Sequence, residues 1–367
     1  MKISIQPHWV LDGRSDLDPL MRRLLPLLAA IEREGNLQRA AGELGISYRL
    51  AWGIAREGEQ AFGAPVLKMS RGRGSRLTAL GETLLWAHKR AAARLDPVLR
   101  NVACELEMDL ERAGRPRKRV FRIHASHGFS IELLRDFMVQ DRVPTDLRYC
   151  GSMEALASLS AADCDMAGFH APWGTLQRDA LAFYAKWLPP GLALITLCAR
   201  SQGIIVPAGN PHGIARLADL ARPGLRFVSR QFGSGTRILL DLLLAREGIN
   251  SFEIAGYQTG ETTHSAVAAC VASGMADAGF GVESGARRFG LDFIPIATER
   301  YFLACQRQSL KEATVRRVLE TLRGSRFRAA AAKIAGIDAS HAGAVGSADE
   351  VFPELADGLR RAARERG

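Results

Sequence analysis

The chain has 367 residues, more than the roughly 100 to 200 of one ordinary domain, so two or three domains with a sizeable core are expected. With 47% hydrophobic and 24% charged residues it is not a disordered chain, and its formal charge of +10 leaves it basic. No run reaches the roughly 18 to 20 apolar residues of a membrane span, and the start MKISIQPHWVLDGRSD has no apolar stretch behind a basic one, so a cytoplasmic protein without a membrane partner is expected.

The charge is unevenly spread. The first 119 residues carry 21 Lys+Arg against 14 Asp+Glu, while the other 248 carry 28 against 25. A nucleic-acid-binding head on a nearly neutral body has this balance, because each phosphate contact needs a cation. The cysteines Cys104, Cys150, Cys164, Cys198, Cys270 and Cys305 form no C-x-x-C pair, so buried thiols are expected rather than a metal site or a disulfide framework.

Leu24, Leu25, Leu27, Leu28 and Ile31 predict a first amphipathic helix, stopped at Gly35-Asn36, where Asn36 can cap the next. A second helix, LQRAAGELG, ends at Gly45. Ser47 then caps a third, YRLAWGIAREGEQAF, with Leu50, Ile54 and Phe62 inward and Tyr48, Arg49 and Arg56 outward. This is a helix-turn-helix. PVLKMSRGRGSRL follows as a basic-tipped hairpin, a wing. From Thr78 a long helix carries apolar residues every three or four positions, from Leu80 through Leu95, Val98, Val102 and Leu106 to Leu110. A stripe of that length predicts pairing with a second chain, with Pro97 kinking or breaking the helix.

Past the linker ERAGRPRKR the pattern changes. Short β-like runs, among them VFRIHAS, DMAGFH, LALITLCA, GIIVP, FEIAGY, DAGFG, LDFIPI and YFLACQ, alternate with helical stretches such as SMEALASLS and TRILLDLLLAREG. Alternation of this kind implies βαβ units and parallel sheets. The order fits two α/β lobes, with the chain crossing near residues 195 to 210 and again near 298.

Two resemblances follow. Residues 20 to 95, through Ser47-Tyr48-Arg49-Leu50-Ala51-Trp52 and Leu77-Thr78-Ala79-Leu80-Gly81, resemble the winged helix-turn-helix of LysR-type and molybdate-responsive ModE regulators, closer to ModE in the recognition helix. The resemblance implies a dimer that places two recognition helices in major grooves. Residues 120 to 333 resemble the periplasmic-binding-protein-like domain related to molybdate-binding proteins, through DMAGFH, Arg230-Gln231-Phe232-Gly233-Ser234-Gly235-Thr236-Arg237, Thr262-Thr263-His264 and DAGFGVE. The expected fold is therefore α/β overall: a winged helix-turn-helix over 1–80, a linker and dimerisation helix over 81–117, a two-lobed effector domain over 118–340 and a helical tail over 341–367.

In the head, Ser47, Tyr48, Arg49 and Arg56 are placed to reach base edges or phosphates, and Arg71, Arg73 and Arg76 to follow the backbone or minor groove. In the body, Gly233-Ser234-Gly235-Thr236 joins a strand to a helix, so N–H groups and hydroxyls converge on a helix N-terminus as in an anion site, with Arg230 adding a full charge. Ser126 with His127, and Ser152, repeat the arrangement in the first lobe, and His170, Thr263 and His264 are candidates for the cleft lining. His127, His170, His264 and Glu283 carry no nucleophile elbow, metal spacing or cofactor loop around them, so neither an enzyme nor a metal or cofactor site is expected. The residues thus describe a ligand-responsive DNA-binding regulator, a homodimer or homotetramer on an inverted-repeat operator in double-stranded DNA. Its effector is a small anion, molybdate or tungstate by resemblance; a small carboxylate such as formate serves the same donors equally well. A DNA-binding oligomer that senses no ligand is the further alternative.

Overall fold

The computed structural model describes residues 3–9, 17–70, 74–114, 120–189 and 191–353. Contacts divide the chain into two units, Ile5–Leu95 and Asp96–Gly367 with Met1–Ser4.

The first unit opens with α1 (Asp18–Glu34), α2 (Leu37–Glu43) and α3 (Tyr48–Phe62). Their boundaries follow local chemistry. Gly35 takes a φ of 61° and ends α1, the Asn36 side chain accepts the N–H groups of Gln38 and Arg39 at 2.8 and 3.2 Å, and Ser47 Oγ accepts Leu50 N–H at 3.2 Å. The inner faces bury Leu24, Leu28, Ile31, Ala40, Ala51 and Ile54 in one core. Leu50, expected inward, is exposed; Ala51, Ile54, Ala55 and Gly58 supply the buried face of α3 instead.

Strands β1 (Leu67–Ser70) and β2 (Gly74–Leu77) form the expected wing as an antiparallel hairpin. Its tip residues, including Arg71 and Arg73, lie outside the described residues. Ser75 ties the wing to the corner between α1 and α2: its N–H donates to Gly35 O at 2.9 Å, and its hydroxyl accepts Leu37 N–H at 3.2 Å. Thr78 then caps α4 (Ala79–Gly114), accepting Gly81 N–H at 3.2 Å. Where a kink or break is expected at Pro97, α4 continues as one helix, and the boundary between the units falls just before it.

The second unit begins with β3 (Phe121–Ala125), α5 (Phe129–Gln140), β4 (Thr145–Tyr149), α6 (Ser152–Ser160), β5 (Met166–Pro172) and α7 (Gln177–Ala182). The chain crosses on β6 (Leu192–Val206) into β7 (Phe227–Arg230), α8 (Gly235–Arg246), β8 (Gly260–Glu261), α9 (His264–Ala272), β9 (Ala278–Val282) and α10 (Glu283–Arg288). It returns on β10 (Asp292–Gln306) to α11 (Ala313–Arg323), α12 (Ser325–Ala331), β11 (Ile337–Asp338), β12 (Val345–Ser347) and α13 (Ala348–Val351). One sheet in the order β4-β3-β5-β10-β6-β9-β7-β8 runs through both lobes.

The sheet is mixed rather than parallel throughout. β3 lies parallel to β4 and β5, and β7 to β8 and β9, but β10 is antiparallel to β5 and β6. LALITLCA and GIIVP, expected as separate strands, are the two ends of β6, and LDFIPI and YFLACQ those of β10. Helices cover both faces of the sheet, so β6 is buried almost along its length and can be apolar at successive positions. FEIAGY is not a strand: Asn250 caps a short turn there, and Gly256, at a φ of +92°, packs so closely on Phe227 O that a Cβ would stand 2.2 Å away. In place of a helical tail from 341, β12 adds to β6 and only the four-residue α13 follows; residues 354–367 lie outside the described residues. Among the described residues no helix is long and apolar enough to cross a membrane.

The wing corner yields a test. Gly74 has a φ of +84°, and a Cβ there would stand 2.2 Å from Gly35 O. Gly74→Ala should cost the head more than about 2 kcal/mol, whereas Gly53→Ala, in open space within α3, should stabilise it by about 0.5 to 1 kcal/mol. Thermal unfolding followed by circular dichroism checks both signs.

Candidate functional site

The two lobes of the second unit meet where three helix N-termini converge. Gly235, the first residue of α8, stands so close to the first lobe that a Cβ on it would be 3.5 Å from His170 Cβ, 3.6 Å from the Tyr184 hydroxyl and 3.7 Å from Ser152 Oγ. Ser152, the first residue of α6, lies with its Oγ 3.2 Å from Ser126 Oγ and also hydrogen-bonds Tyr184. Ser234 caps α8, accepting Arg237 N–H at 3.2 Å, and Thr263 caps α9, accepting Ala266 N–H at 2.8 Å. Each hydroxyl oxygen thus satisfies a backbone N–H at the start of its helix. Ser126, Ser152, His170, Arg230, Gly233, Ser234, Gly235, Thr236, Thr263 and His264 all belong to this region.

Beneath the helix ends lies a buried charge cluster. Arg200 on β6 and Glu299 on β10 are register partners on adjacent antiparallel strands and form an ion pair through Arg200 Nε. Gln202 donates to Glu299 Oε1 at 2.7 Å and to Thr236 Oγ1 at 2.9 Å. Arg230 donates only to uncharged acceptors, among them Glu261 O at 3.2 Å and Thr262 O at 2.9 Å. Arg230 is 7% exposed. Burial, reinforced by Arg200 and opposed by Glu299, pushes its pKa down to about 9. Glu299 is thus ion-paired with Arg200, while the other buried carboxylate nearby, Glu261, meets the Cys270 thiol at 3.4 Å, and no ion pair to Arg230 is present among the described residues.

The histidines respond to that charge. His170 and His264 are held well below the ordinary imidazole range, first by burial and then by Arg200 and Arg230, so both are neutral near pH 7. The His170 ring packs on Tyr301 at 3.8 Å between centroids. Neither of its nitrogens has a hydrogen-bond partner, nor has His264 Nδ1 or Gln202 Oε1.

His127 is engaged elsewhere, contrary to its expected place in the cleft lining. Its Nε2 lies 2.8 Å from both Asp96 Oδ2 and Glu132 Oε1. Burial opposes its proton, but those two carboxylates outweigh burial and raise its pKa. Arg100 sits on the same pair, 2.9 Å from Asp96 and 3.5 Å from Glu132. With an imidazolium and a guanidinium balancing both carboxylates, this group is an ion-pair network rather than a cation site, although its ligand atoms lie within 4.8 Å of one another.

Arg200, Gln202, Glu299, Tyr184 and Tyr301 escape a reading by motif. The signal that could have found them is a charge inside an otherwise apolar strand, as Arg200 and Glu299 are. In the head, Ser47, Tyr48, Arg49 and Arg56 share the exposed side of α3, and Arg76 is exposed on β2. Trp52 joins them, with the Arg56 guanidinium 5.8 Å from its ring centre.

The sequence pattern that defines the PBP superfamily domain matches residues 135–323, just over half of the chain, and the chain belongs to that family. It is 29% identical over 276 residues to the uncharacterized protein YvgK of Bacillus subtilis (strain 168), covering 74% of this chain and 87% of that one. It is 34% identical over 87 residues to the molybdenum-pterin-binding protein MopB of Rhodobacter capsulatus, covering 23% of this chain and 32% of that protein. Among solved structures it is similar to CbnR, a LysR family transcriptional regulator, at 17% identity and a TM-score of 0.38, covering 82% of this chain and 99% of that one.

The buried ion pair generates a prediction. Glu299→Gln keeps the shape but leaves Arg200 without its counter-charge, and should destabilise the second unit by about 3 to 5 kcal/mol in denaturant unfolding. A loss under about 1 kcal/mol would show that Arg200 is not held by this pair.

Proposed function

We propose that the chain is a ligand-responsive, DNA-binding transcriptional regulator whose cleft takes a small anion. The observation that carries this reading is the burial of two guanidinium groups, Arg200 and Arg230, beneath the N-termini of α6, α8 and α9, with Arg230 in no ion pair among the described residues. Helix N-termini, hydroxyls and guanidinium groups are the donors an oxyanion or carboxylate needs, and no general base or nucleophile is paired for catalysis beside them. Molybdate or tungstate is the first assignment, supported by the resemblance to molybdate-related domains and by the likeness to MopB. Formate or another small carboxylate is the alternative.

The head supports the DNA half of the reading. α3 presents Tyr48, Arg49, Trp52 and Arg56 on one exposed side, capped by Ser47, and the wing adds Arg76. Arg71 and Arg73 extend that surface in the sequence. Such a helix fits a major groove and such a wing the flanking backbone, as in LysR-type and ModE-type regulators. The dimer is supported by α4, on which Leu95, Val98, Val102, Leu106 and Leu110 form an exposed stripe at helical spacing. A second copy's helix is the self-complementary cover for it.

Selection from random duplexes tests the head. The wild type should enrich an inverted repeat. Arg49→Ala should broaden the selected sequences and cost about 1 to 3 kcal/mol on the best site, while Arg76→Ala should weaken all sites alike and flatten the salt slope by about one. Enrichment unchanged in an Arg49→Ala/Arg56→Ala/Arg76→Ala variant would remove the assignment.

Calorimetry on the full chain tests the cleft. Molybdate, tungstate, sulfate and formate are titrated in turn, and the cognate anion at 100 times its Kd should add about 2.7 kcal/mol of stability. Ser126→Ala or Ser234→Ala should weaken binding by about tenfold to a hundredfold, since each removes a charge-assisted hydrogen bond of about 1.5 to 3 kcal/mol. Binding as tight as wild type in both variants would place the anion elsewhere.

A further inference from the structure

Resting on the anion-binding reading above, we propose that the cleft takes up one proton, on His170, when it binds a doubly charged oxyanion. Both ring nitrogens of His170 are buried without a hydrogen-bond partner. A neutral imidazole presents one N–H and one bare nitrogen, and a deprotonated oxyanion, which only accepts hydrogen bonds, can satisfy the first alone. An imidazolium presents two donors. One meets the anion, and the other has Glu299, whose Oε1 lies 3.8 Å from His170 Nδ1.

The charge count asks for the same proton. The groups that face His170 are Arg200 from β6, Arg230 from β7, Glu299 and Tyr301 from β10, His264 from α9, and Tyr184 just ahead of β6. Burial holds both phenols in their neutral form, and His264 is neutral for the reasons given above. Among the groups that face His170, two guanidinium groups stand against one carboxylate, a single positive charge that is one short of balancing a dianion. Without a ligand, Arg200 and Arg230 oppose protonation of His170; a dianion among them reverses the field and favours it. The adjacent Glu299 places the proton on His170 rather than on His264.

The test is calorimetry of the full chain with molybdate and tungstate, in buffers of low and high ionisation enthalpy, between pH 7 and 8 and so below the range in which Arg230 titrates. Close to one proton should be taken up per anion, and Kd should weaken about tenfold per pH unit. His264→Gln should keep that slope, whereas His170→Gln should bind with buffer-independent heat and a flat pH profile. Should His170→Gln fail to fold, the imidazole resonances of the wild type read the same proton by NMR on addition of molybdate. Dianion binding without proton uptake, a slope that survives in His170→Gln, or binding of formate alone overturns this inference and leaves the anion cleft standing. Failure of every anion to bind overturns both.

Discussion

The second unit depends on where it puts one glutamate. β6 and β10 are the strands on which the chain passes from lobe to lobe and back, and Arg200 and Glu299 face each other across them. A cross-strand ion pair at such a depth is expensive to desolvate, and it persists only with further hydrogen bonds; Gln202 supplies one of them, and through Thr236 it ties the pair to the start of α8. Arg230 then has no carboxylate of its own. Its donors meet backbone carbonyls at the end of β8 and beyond, which orient the guanidinium without neutralising it. A protein gains nothing in stability from a second buried cation here.

Hydroxyl chemistry around that charge follows from helix capping. Ser234 and Thr263 are at N-cap positions, where their oxygens accept backbone N–H groups. Ser152 begins α6 and is shared with Ser126 and Tyr184. The same residues therefore end the strands' connections cleanly and line the cleft with donors. Gly235 stands where the two lobes meet, at contact distance of His170, Tyr184 and Ser152.

Much of this is legible in the sequence, and the continuity of the two long strands is not, for a physical reason. Caps at Asn36, Ser47 and Thr78, the turn at Gly35 and the Gly-Ser-Gly-Thr loop are local devices, readable from a few residues. Buried charge is not local. Periodicity treats a charged residue in an apolar run as the end of a strand, so LALITLCA and GIIVP were separated at Arg200, and LDFIPI and YFLACQ at Glu299. Each apparent break is the point at which a continuous strand passes under the cleft, and the charges there are buried because they are paired. Leu50 failed in the opposite way, as an apolar residue read inward that stands on the exposed side of α3 beside Tyr48 and Trp52. His127 was placed in the cleft by its neighbour Ser126, although its ring meets carboxylates from two other helices.

The place of His127 ties the loop that carries Ser126 to α4. Ser126 and His127 are consecutive in the loop between β3 and α5, and while Ser126 reaches Ser152, His127 holds Asp96 of α4 and Glu132 of α5. Further along α4, Asn101 exchanges two hydrogen bonds with the backbone of Tyr149, at 2.8 and 3.2 Å, and Glu107 accepts from Arg135 at 3.0 Å. The C-terminal half of α4 is thus fastened to the first lobe at points that begin one residue from a cleft hydroxyl. A ligand alters an equilibrium only through contacts that differ between states. The residue after Ser126 is bonded to α4, the helix that Thr78 caps behind the wing.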